Sequence, residues 1–157
     1  RLQLFTHMAV PVVLRAETFP VGALTMTCYA FAKADHRDAD VYEAISSALD
    51  RFPDDELRPI DICNVVWAFS TVGYRDDQLF SRLCESHLSR ADIVESFNPQ
   101  DLSNTTWGFS KVAFVHTPAM DQLAREGIRQ RDAFKPIQIS NFFYSFAMLR
   151  LRGPEGF

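Results

Sequence analysis

The sequence predicts an all-α protein, an α-solenoid of stacked helical hairpins, and three observations support this fold class. The first is an internal repeat, because the aromatic residues Tyr29, Trp67, Trp107 and Tyr144 follow one another at intervals of 38, 40 and 37 residues. The second is that apolar residues recur at helical spacing on both sides of these anchors. The third is the lack of any long β-branched alternation, which argues against a sheet.

Other residue classes fall into register with the four anchors. A phenylalanine stands two residues after each anchor, an aliphatic residue stands five before it, and a proline stands eight or nine before it. A period of about 38 residues predicts hairpins that bury their faces by stacking on their neighbours, with the phenylalanines at the joints. The registered residues are Phe31, Phe69, Phe109 and Phe146; Leu24, Ile62, Leu102 and Ile139; and Pro20, Pro59, Pro99 and Pro136.

The repeat divides the chain into units within one predicted solenoid domain, residues 1–157. The units span approximately residues 20–51, 58–91 and 98–132, followed by a partial unit at 136–150. Residues 1–15 are expected to be the last helix of a preceding unit, although Pro11 conflicts with a helix interior.

Local signals set the helix boundaries inside the units. Asn98 is a predicted N-cap, Pro99 suits the first helical position, and Asp101 places a carboxylate at the positive end of the helix dipole. Gly73 is a predicted stop for the first helix of the second unit. The second helices are expected to start at Asp38, at Asp76, and at Thr117 with Pro118.

Composition bounds the function. The chain has 157 residues, 47% of them hydrophobic and 23% charged, which is typical of one globular domain. Three cysteines cannot form a disulfide framework. The longest uncharged run, Thr18 to Ala32, has 15 residues and is too short for a membrane span.

The charge is unevenly distributed along the chain. A net charge of −4 argues against a protein that holds a polyanion by bulk charge alone. Residues 35–61 carry nine acidic and three basic side chains, whereas residues 125–152 carry six basic and two acidic ones. The basic end is therefore where contact with an anion is expected.

Three segments that share a proline at their third position resemble the octotricopeptide repeat family and the related FAST-kinase-like and heptatricopeptide-repeat proteins. They are LRPIDICNVVWAFSTVGY, FNPQDLSNTTWGFSKVAF and FKPIQISNFFYSFAMLRL, which begin at Leu57, Phe97 and Phe134. The first unit departs from the pattern at Ala23 and Met26. The resemblance implies an α-solenoid of organellar gene expression, in a mitochondrion or plastid, that acts on single-stranded RNA or is built into an organellar ribosome and touches ribosomal RNA.

The candidate RNA-binding residues form two sets. Asn64, Asn104 and Asn141 stand three residues before an anchor, where helix-borne amides could read one unstacked base per unit. Alternatively, these asparagines satisfy backbone groups in a loop of the next unit. The second set could contact phosphates or form an ordinary solvated helix face; it consists of Arg125, Arg129, Arg131 and Lys135.

The two tryptophans and the metal-binding residue types have plainer interpretations. Trp67 and Trp107 could stack on bases, but their register with apolar residues favours core packing. Cys84 and His87 have C-x-x-H spacing without the second close pair that a structural zinc site needs. The chain has no nucleophile elbow and no Gly-rich phosphate loop. We therefore expect no catalysis, no metal and no cofactor.

Two functions remain open at this stage. The first is a non-catalytic RNA-binding module, and the second is a scaffold that binds proteins in a large organellar assembly without reading RNA. Both ends of the repeat array are apolar, so partner proteins are expected to dock there and the isolated chain is expected to self-associate. The chain could also be part of a longer repeat protein.

Overall fold

The computed structural model describes residues 2–150, with side chains from residue 3 onward, and this part of the chain is helical without a strand. Arg152, which contributes to the basic segment, lies outside the described residues. The α-helices are α1 (Leu2–Arg15), α2 (Val21–Lys33), α3 (Ala39–Leu49), α4 (Pro59–Val72), α5 (Asp77–Leu83), α6 (Ala91–Val94), α7 (Pro99–Lys111), α8 (Thr117–Arg129) and α9 (Pro136–Met148). The all-α prediction is confirmed.

Short irregular helices complete the described chain. A π-helical stretch, Cys84–Leu88, directly follows α5. Turns of 3-10 helix precede α2, α4 and α9, at Ala16–Thr18, Asp54–Glu56 and Arg131–Ala133. The N-terminal segment forms α1 despite Pro11 inside it.

The predicted caps form from residues close in sequence. The Asn98 side chain accepts hydrogen bonds from the backbone N–H groups of Gln100 and Asp101, and Asp101 accepts one from the Asn98 N–H in return. Asp38 caps α3 by accepting from the Asp40 N–H. Gly73 ends α4 with a φ of 77°, a left-handed conformation that favours glycine. His116, rather than Thr117, caps α8.

The described contacts divide the chain into two compact structural units, which are larger than the repeats predicted from the sequence. The first unit is Arg1–Asp76 and the second unit is Asp77–Phe157. The boundary falls inside the predicted repeat 58–91. Whether all repeats form one solenoid domain stays a prediction.

In the first unit, α2 packs against both α3 and α4, and α1 packs against α3. Two edge-to-face aromatic pairs join consecutive repeats: Phe5 with Phe31 at 5.1 Å between centroids, and Tyr42 with Phe69 at 5.3 Å. Phe31 and Phe69 are buried, as their register predicts.

In the second unit, α7 packs against both α8 and α9. Phe80 and Phe109 form a further edge-to-face pair at 5.6 Å, and Phe109 is buried. Phe146 is only half-buried, because in the described chain α9 packs on α7 and no later helix covers its other side.

None of the helices in the described residues is long and apolar enough to cross a membrane.

Candidate nucleic-acid interface

The three asparagines lie on the first helices of their repeats in different environments. Asn64 on α4 is buried, with its Nδ2 3.7 Å from the Sδ of Met26 on α2. Asn104 on α7 is half-buried and accepts a hydrogen bond of 2.7 Å from Gln100 Nε2. Asn141 on α9 is half-buried, and its side chain has no hydrogen-bond partner within the described residues. In this part of the chain, no loop backbone group bonds any of the three side chains.

A chain of amides leads from the start of α9 to Asn104. The Lys135 backbone N–H donates to Gln138 Oε1 at 2.8 Å, and Gln138 Nε2 donates to Gln100 Oε1 at 3.0 Å. Gln100 Nε2 then donates to Asn104 Oδ1, which orients that amide. Asn104 therefore presents its Nδ2 as a donor, and an N–H donor suits the carbonyl or ring-nitrogen acceptors on base edges.

In the first unit, an aromatic pair with a lysine above it lies one turn beyond the Asn64 position. The rings of Tyr29 on α2 and Trp67 on α4 are 4.9 Å apart. Lys33 Nζ lies 5.8 Å from the Tyr29 centroid and 5.1 Å from the Trp67 centroid, within cation–π range. Tyr29 and Trp67 are both partly buried, so part of each ring is accessible to solvent.

In the second unit, a lysine again lies over an aromatic anchor, at the repeat positions that correspond to Lys33 and Tyr29. Trp107 on α7 is half-exposed, and Lys111 Nζ lies 5.5 Å from its ring centroid. Tyr144, the equivalent residue of α9, is exposed. We call these surfaces the aromatic ridges: Tyr29, Lys33, Asn64 and Trp67 in the first unit, and Asn104, Trp107, Lys111, Asn141 and Tyr144 in the second.

The basic candidates are exposed, but they are not equally available. Arg129 forms a bidentate ion pair with the buried Glu126, with nitrogen–oxygen distances of 2.7 and 2.6 Å. Arg131 donates to the Ile128 carbonyl at 3.3 Å and lies 3.9 Å from Asp132. Arg125 and the Lys135 ammonium make no ion pair within the described residues.

Arg129 pairs with Glu126 because this buried carboxylate is ionised. Burial raises the pKa of the Glu126 carboxyl, but hydrogen bonds from Arg129 and Gln130 lower it by more, so the pKa lies below its ordinary value. The carboxylate is therefore ionised at neutral pH and needs a cation beside it. Of the four basic candidates, Arg129 is the one that the structure assigns to an internal ion pair.

The three cysteines of the described residues lie inside the helical packing. Cys28, Cys63 and Cys84 are buried, and no disulfide joins them. Burial raises the pKa of Cys84 to about 12, which opposes formation of the reactive thiolate. Within residues 3–150, no three histidine, cysteine, aspartate or glutamate side chains are grouped so that they could hold a metal ion.

The lysines of the aromatic ridges are not among the candidate residues predicted from the sequence. Lys33 and Lys111 each stand four residues after an anchor, at positions 29 and 107, so a helical-spacing search around the anchors would have found them. The register favours core packing for Trp67 and Trp107, and in the structure both side chains are largely buried with one part of each ring exposed.

Comparison with known proteins places the whole described chain in one family. A search of curated proteins gives no match. A search of protein families matches residues 2–155 to "RNA-editing substrate-binding complex 6 protein". This match covers nearly the full length of 157 residues. The chain therefore belongs to the RNA-editing substrate-binding complex 6 protein family, RESC6.

Proposed function

We propose that this chain is a non-catalytic, RNA-associated helical subunit of an organellar RNA-editing complex, and that it holds single-stranded RNA on its aromatic ridges. Membership of the RESC6 family supports the assignment to an RNA-editing substrate-binding complex. Direct RNA contact is supported by one observation: in both units, a partly exposed tryptophan lies beneath a lysine ammonium.

The ridges combine the two features that sequence-tolerant single-strand binding requires. Aromatic faces stack on any base, and a nearby cation attracts the backbone. Lys33 and Lys111 shield the ring faces in the free protein, so an arriving base would replace each ammonium, which then lies within reach of a phosphate. Asn104 and Asn141 sit beside the rings and would supply base-edge contacts.

The phosphate-contacting set follows from the ion pairs. Arg125, Arg131 and Lys135 are the proposed contacts, since Arg129 already neutralises Glu126. Arg129 would hold the end of α8 in place and add little to the salt dependence of binding. Removing a true phosphate contact weakens binding for all sequences alike and reduces the salt slope by about one.

The first test is fluorescence anisotropy with a labelled single-stranded RNA of mixed sequence. Trp107→Leu should weaken binding by roughly 5- to 150-fold, the equivalent of about 1–3 kcal/mol for one lost stack. Phe143→Leu is the matched control, because Phe143 is an exposed aromatic residue outside the ridge and its loss should leave affinity unchanged. Equal affinities for Trp107→Leu and the unmodified chain would refute base stacking.

A second test separates phosphate contacts from base contacts. Arg125→Ala should flatten the salt slope and keep base preference, whereas Asn104→Ala should change preference at one position and keep the slope. Arg90→Ala is the matched control, since Arg90 is an exposed arginine that pairs with Asp92 and lies outside the candidate residues, so its loss should leave the affinity and the salt slope unchanged.

Protein scaffolding without RNA contact is the second candidate. The net charge of −4 and the exposed apolar residues of α9, including Ile137 and Phe143, favour it. A chain that shows no RNA affinity at low salt, yet is captured by other complex subunits, would establish scaffolding as the function.

Three finer proposals rest on the repeat and on its resemblance to the octotricopeptide type. We propose that all the units stack as one α-solenoid, that the repeat is kin to the octotricopeptide type, and that the compartment is a mitochondrion or plastid. Residence in an organellar ribosome, with ribosomal RNA as partner, is the alternative assembly. Cross-linking followed by sequencing of the bound RNA distinguishes an editing substrate from ribosomal RNA.

A further inference from the structure

The side-chain amide of Asn104 is held in one orientation by hydrogen bonds that begin at a backbone group. The Lys135 backbone N–H can only donate, so the atom of Gln138 that faces it at 2.8 Å is the oxygen Oε1. Gln138 Nε2 then donates to Gln100 Oε1 at 3.0 Å, and Gln100 Nε2 donates to Asn104 Oδ1 at 2.7 Å. We call these three side chains, Gln138, Gln100 and Asn104, the amide chain of the second unit. Each amide in it fixes which atom the next one presents.

Burial of Gln138 makes the start of the amide chain rigid. Only 6% of this residue is exposed, so water is not a ready substitute for its protein partners. Half a turn of its amide would place Nε2 against the Lys135 N–H, which sets two donors against each other and leaves a buried group unpaired. The bonds at the start of α9 therefore decide the orientation of Gln138, and through Gln100 that of Asn104.

The three asparagines of the repeat differ in the residue one helical turn before them. A side chain four residues earlier lies next to the asparagine on the helix surface, where a glutamine can bond it. That earlier residue is a glutamine for Asn104, whereas it is an isoleucine for the other two. The residues four positions before Asn64, Asn104 and Asn141 are Ile60, Gln100 and Ile137. Of the three asparagines, Asn104 is therefore the one whose amide is oriented from its own helix.

The oriented amide lies beside the stacking surface of the ridge. Trp107 follows Asn104 by three residues on α7, so the two side chains are neighbours on one face of the helix, and both are partly exposed. Asn104 Oδ1 faces Gln100, which turns Nδ2 away from Gln100, and no acceptor for Nδ2 lies among the described residues. A base stacked on Trp107 would therefore have its edge close to an N–H donor.

A fixed donor divides the four bases into two classes. Uracil and guanine carry a carbonyl oxygen at the position where cytosine and adenine carry an amino group. An N–H donor bonds the carbonyl oxygen but opposes the amino group, which is itself a donor. A freely rotating asparagine, by contrast, can use both of its amide atoms and pair with adenine. The orientation of Asn104 therefore favours a keto base over an amino base.

We propose that Gln138 and Gln100 are positioning residues that make Asn104 a hydrogen-bond donor, so that the aromatic ridge of the second unit selects a keto base, uracil or guanine, at the Trp107 stack. This inference rests on the proposed function, since it needs single-stranded RNA on that ridge, and it adds the class of base that the ridge takes. Gln138 acts without touching the RNA, because its effect reaches the base through Gln100 and Asn104.

Fluorescence anisotropy with labelled oligo(U) and oligo(C) of equal length tests the proposal, because these two RNAs have the same backbone charge and the same ring size. The unmodified chain should bind oligo(U) more tightly by roughly 2- to 12-fold, the range for one net hydrogen bond. Gln138→Glu should reverse this preference. Its carboxylate can only accept, so it would take a bond from Gln100 Nε2, Gln100 Oε1 would accept from Asn104 Nδ2, and Asn104 would present Oδ1 to the base. A carboxylate suits this position, since Asp61 and Asp101 stand there in other repeats.

Two variants of Gln100 show whether the effect travels through the amide chain. Gln100→Met interrupts the chain, so the ratio of the two affinities should approach one, and adding Gln138→Glu to it should not change the ratio further. Gln100→Glu should reverse the preference directly, because the new carboxylate accepts from both neighbouring amides.

A charge control and a folding control accompany these variants. Ser96→Glu adds the same charge at an exposed residue just before α7, so it should weaken binding of both RNAs alike and keep their ratio. Gln100 is exposed, so Gln100→Glu carries the test if circular dichroism shows that Gln138→Glu does not fold.

The outcomes separate this inference from RNA binding itself. Equal affinities of the unmodified chain for the two RNAs, or a folded Gln138→Glu or Gln100→Glu variant that keeps the original ratio, would overturn the base selection. If Trp107→Leu still weakens binding of both RNAs in that case, RNA contact at the ridge stands. An unmodified chain that binds neither RNA would overturn both proposals.

Discussion

The hydrogen bond between Thr25 and Asp61 offers the sharpest test of how consecutive first helices are held together. Both residues are buried, and Thr25 Oγ1 donates to Asp61 Oδ1 at 2.7 Å. Asp61 also accepts from Arg58 Nε at 2.7 Å and from the Arg58 backbone N–H at 3.2 Å. Burial raises the pKa of Asp61, but these hydrogen bonds together lower it by more, so the pKa lies below its ordinary value.

Replacing Thr25 with valine removes the hydroxyl and keeps the shape of the side chain. Because Asp61 is ionised at neutral pH, the lost bond is charge-assisted, and hydrogen bonds to charged groups contribute about 1.5–3 kcal/mol. We expect Thr25→Val to lower the free energy of unfolding by that amount in urea titrations followed by circular dichroism. Thr18→Val is the matched control: Thr18 is exposed and donates to the Arg15 carbonyl, so its loss should cost less than about 0.5 kcal/mol.

The pH dependence provides an independent check. The folded-state pKa of Asp61 is depressed, so its contribution to stability is full above the unfolded-state pKa of about 3.9 and is lost as the pH falls through the folded value. The difference between Thr25→Val and the unmodified chain should therefore hold steady near neutral pH and shrink below about pH 4. A difference under about 0.5 kcal/mol at neutral pH, or one that grows in acid, would refute the role assigned to this bond.

Three further perturbations test other contacts. Phe109→Ala should cost about 3–5 kcal/mol in urea unfolding, since the ring is buried 5.6 Å from that of Phe80; a loss below about 1 kcal/mol would place it outside the core. Gly73→Ala should lower the free energy of unfolding by about 1 kcal/mol, because its φ is 77° and no atom lies near the added methyl group. Arg129→Ala should destabilise the chain at neutral pH by leaving Glu126 with a weakened set of donors, and the loss should shrink below about pH 4 as Glu126 protonates; a pH-independent loss would contradict the ion pair.

The candidate site was only partly readable from the sequence. Spacing put Asn64, Asn104 and Asn141 in register, and the structure shows that each meets a different environment. The reason is that the partner of Asn64 lies 38 residues away on another helix. The residue pattern within one helix does not show which side chain of a neighbouring helix will contact an asparagine amide.

Arg129 illustrates the same limit for the basic residues. In the sequence it is equivalent to Arg125, since both are exposed cations on one helix. Burial of Glu126 separates them, because only Arg129 is placed to neutralise that carboxylate. Burial is a property of packing, so the distinction appears only when α8 is packed in its unit.

What the sequence determined by itself is the helical character and most helix boundaries. These depend on groups a few residues apart: the Asn98 side chain reaches the N–H groups of the next turn, and Gly73 ends a helix through its own backbone. The register also placed Phe31, Phe69 and Phe109 in the core correctly.

The tertiary structure decided which registered residues are covered and which stay open. Phe109 is buried whereas its counterpart Phe146 is half-buried, although both have the same place in the repeat. Trp67 and Trp107 also match the pattern of core residues, yet each lies at a helix flank beneath a lysine. The physical reason is that a periodic sequence specifies a helix face, but solvent exposure depends on whether another helix packs against that face.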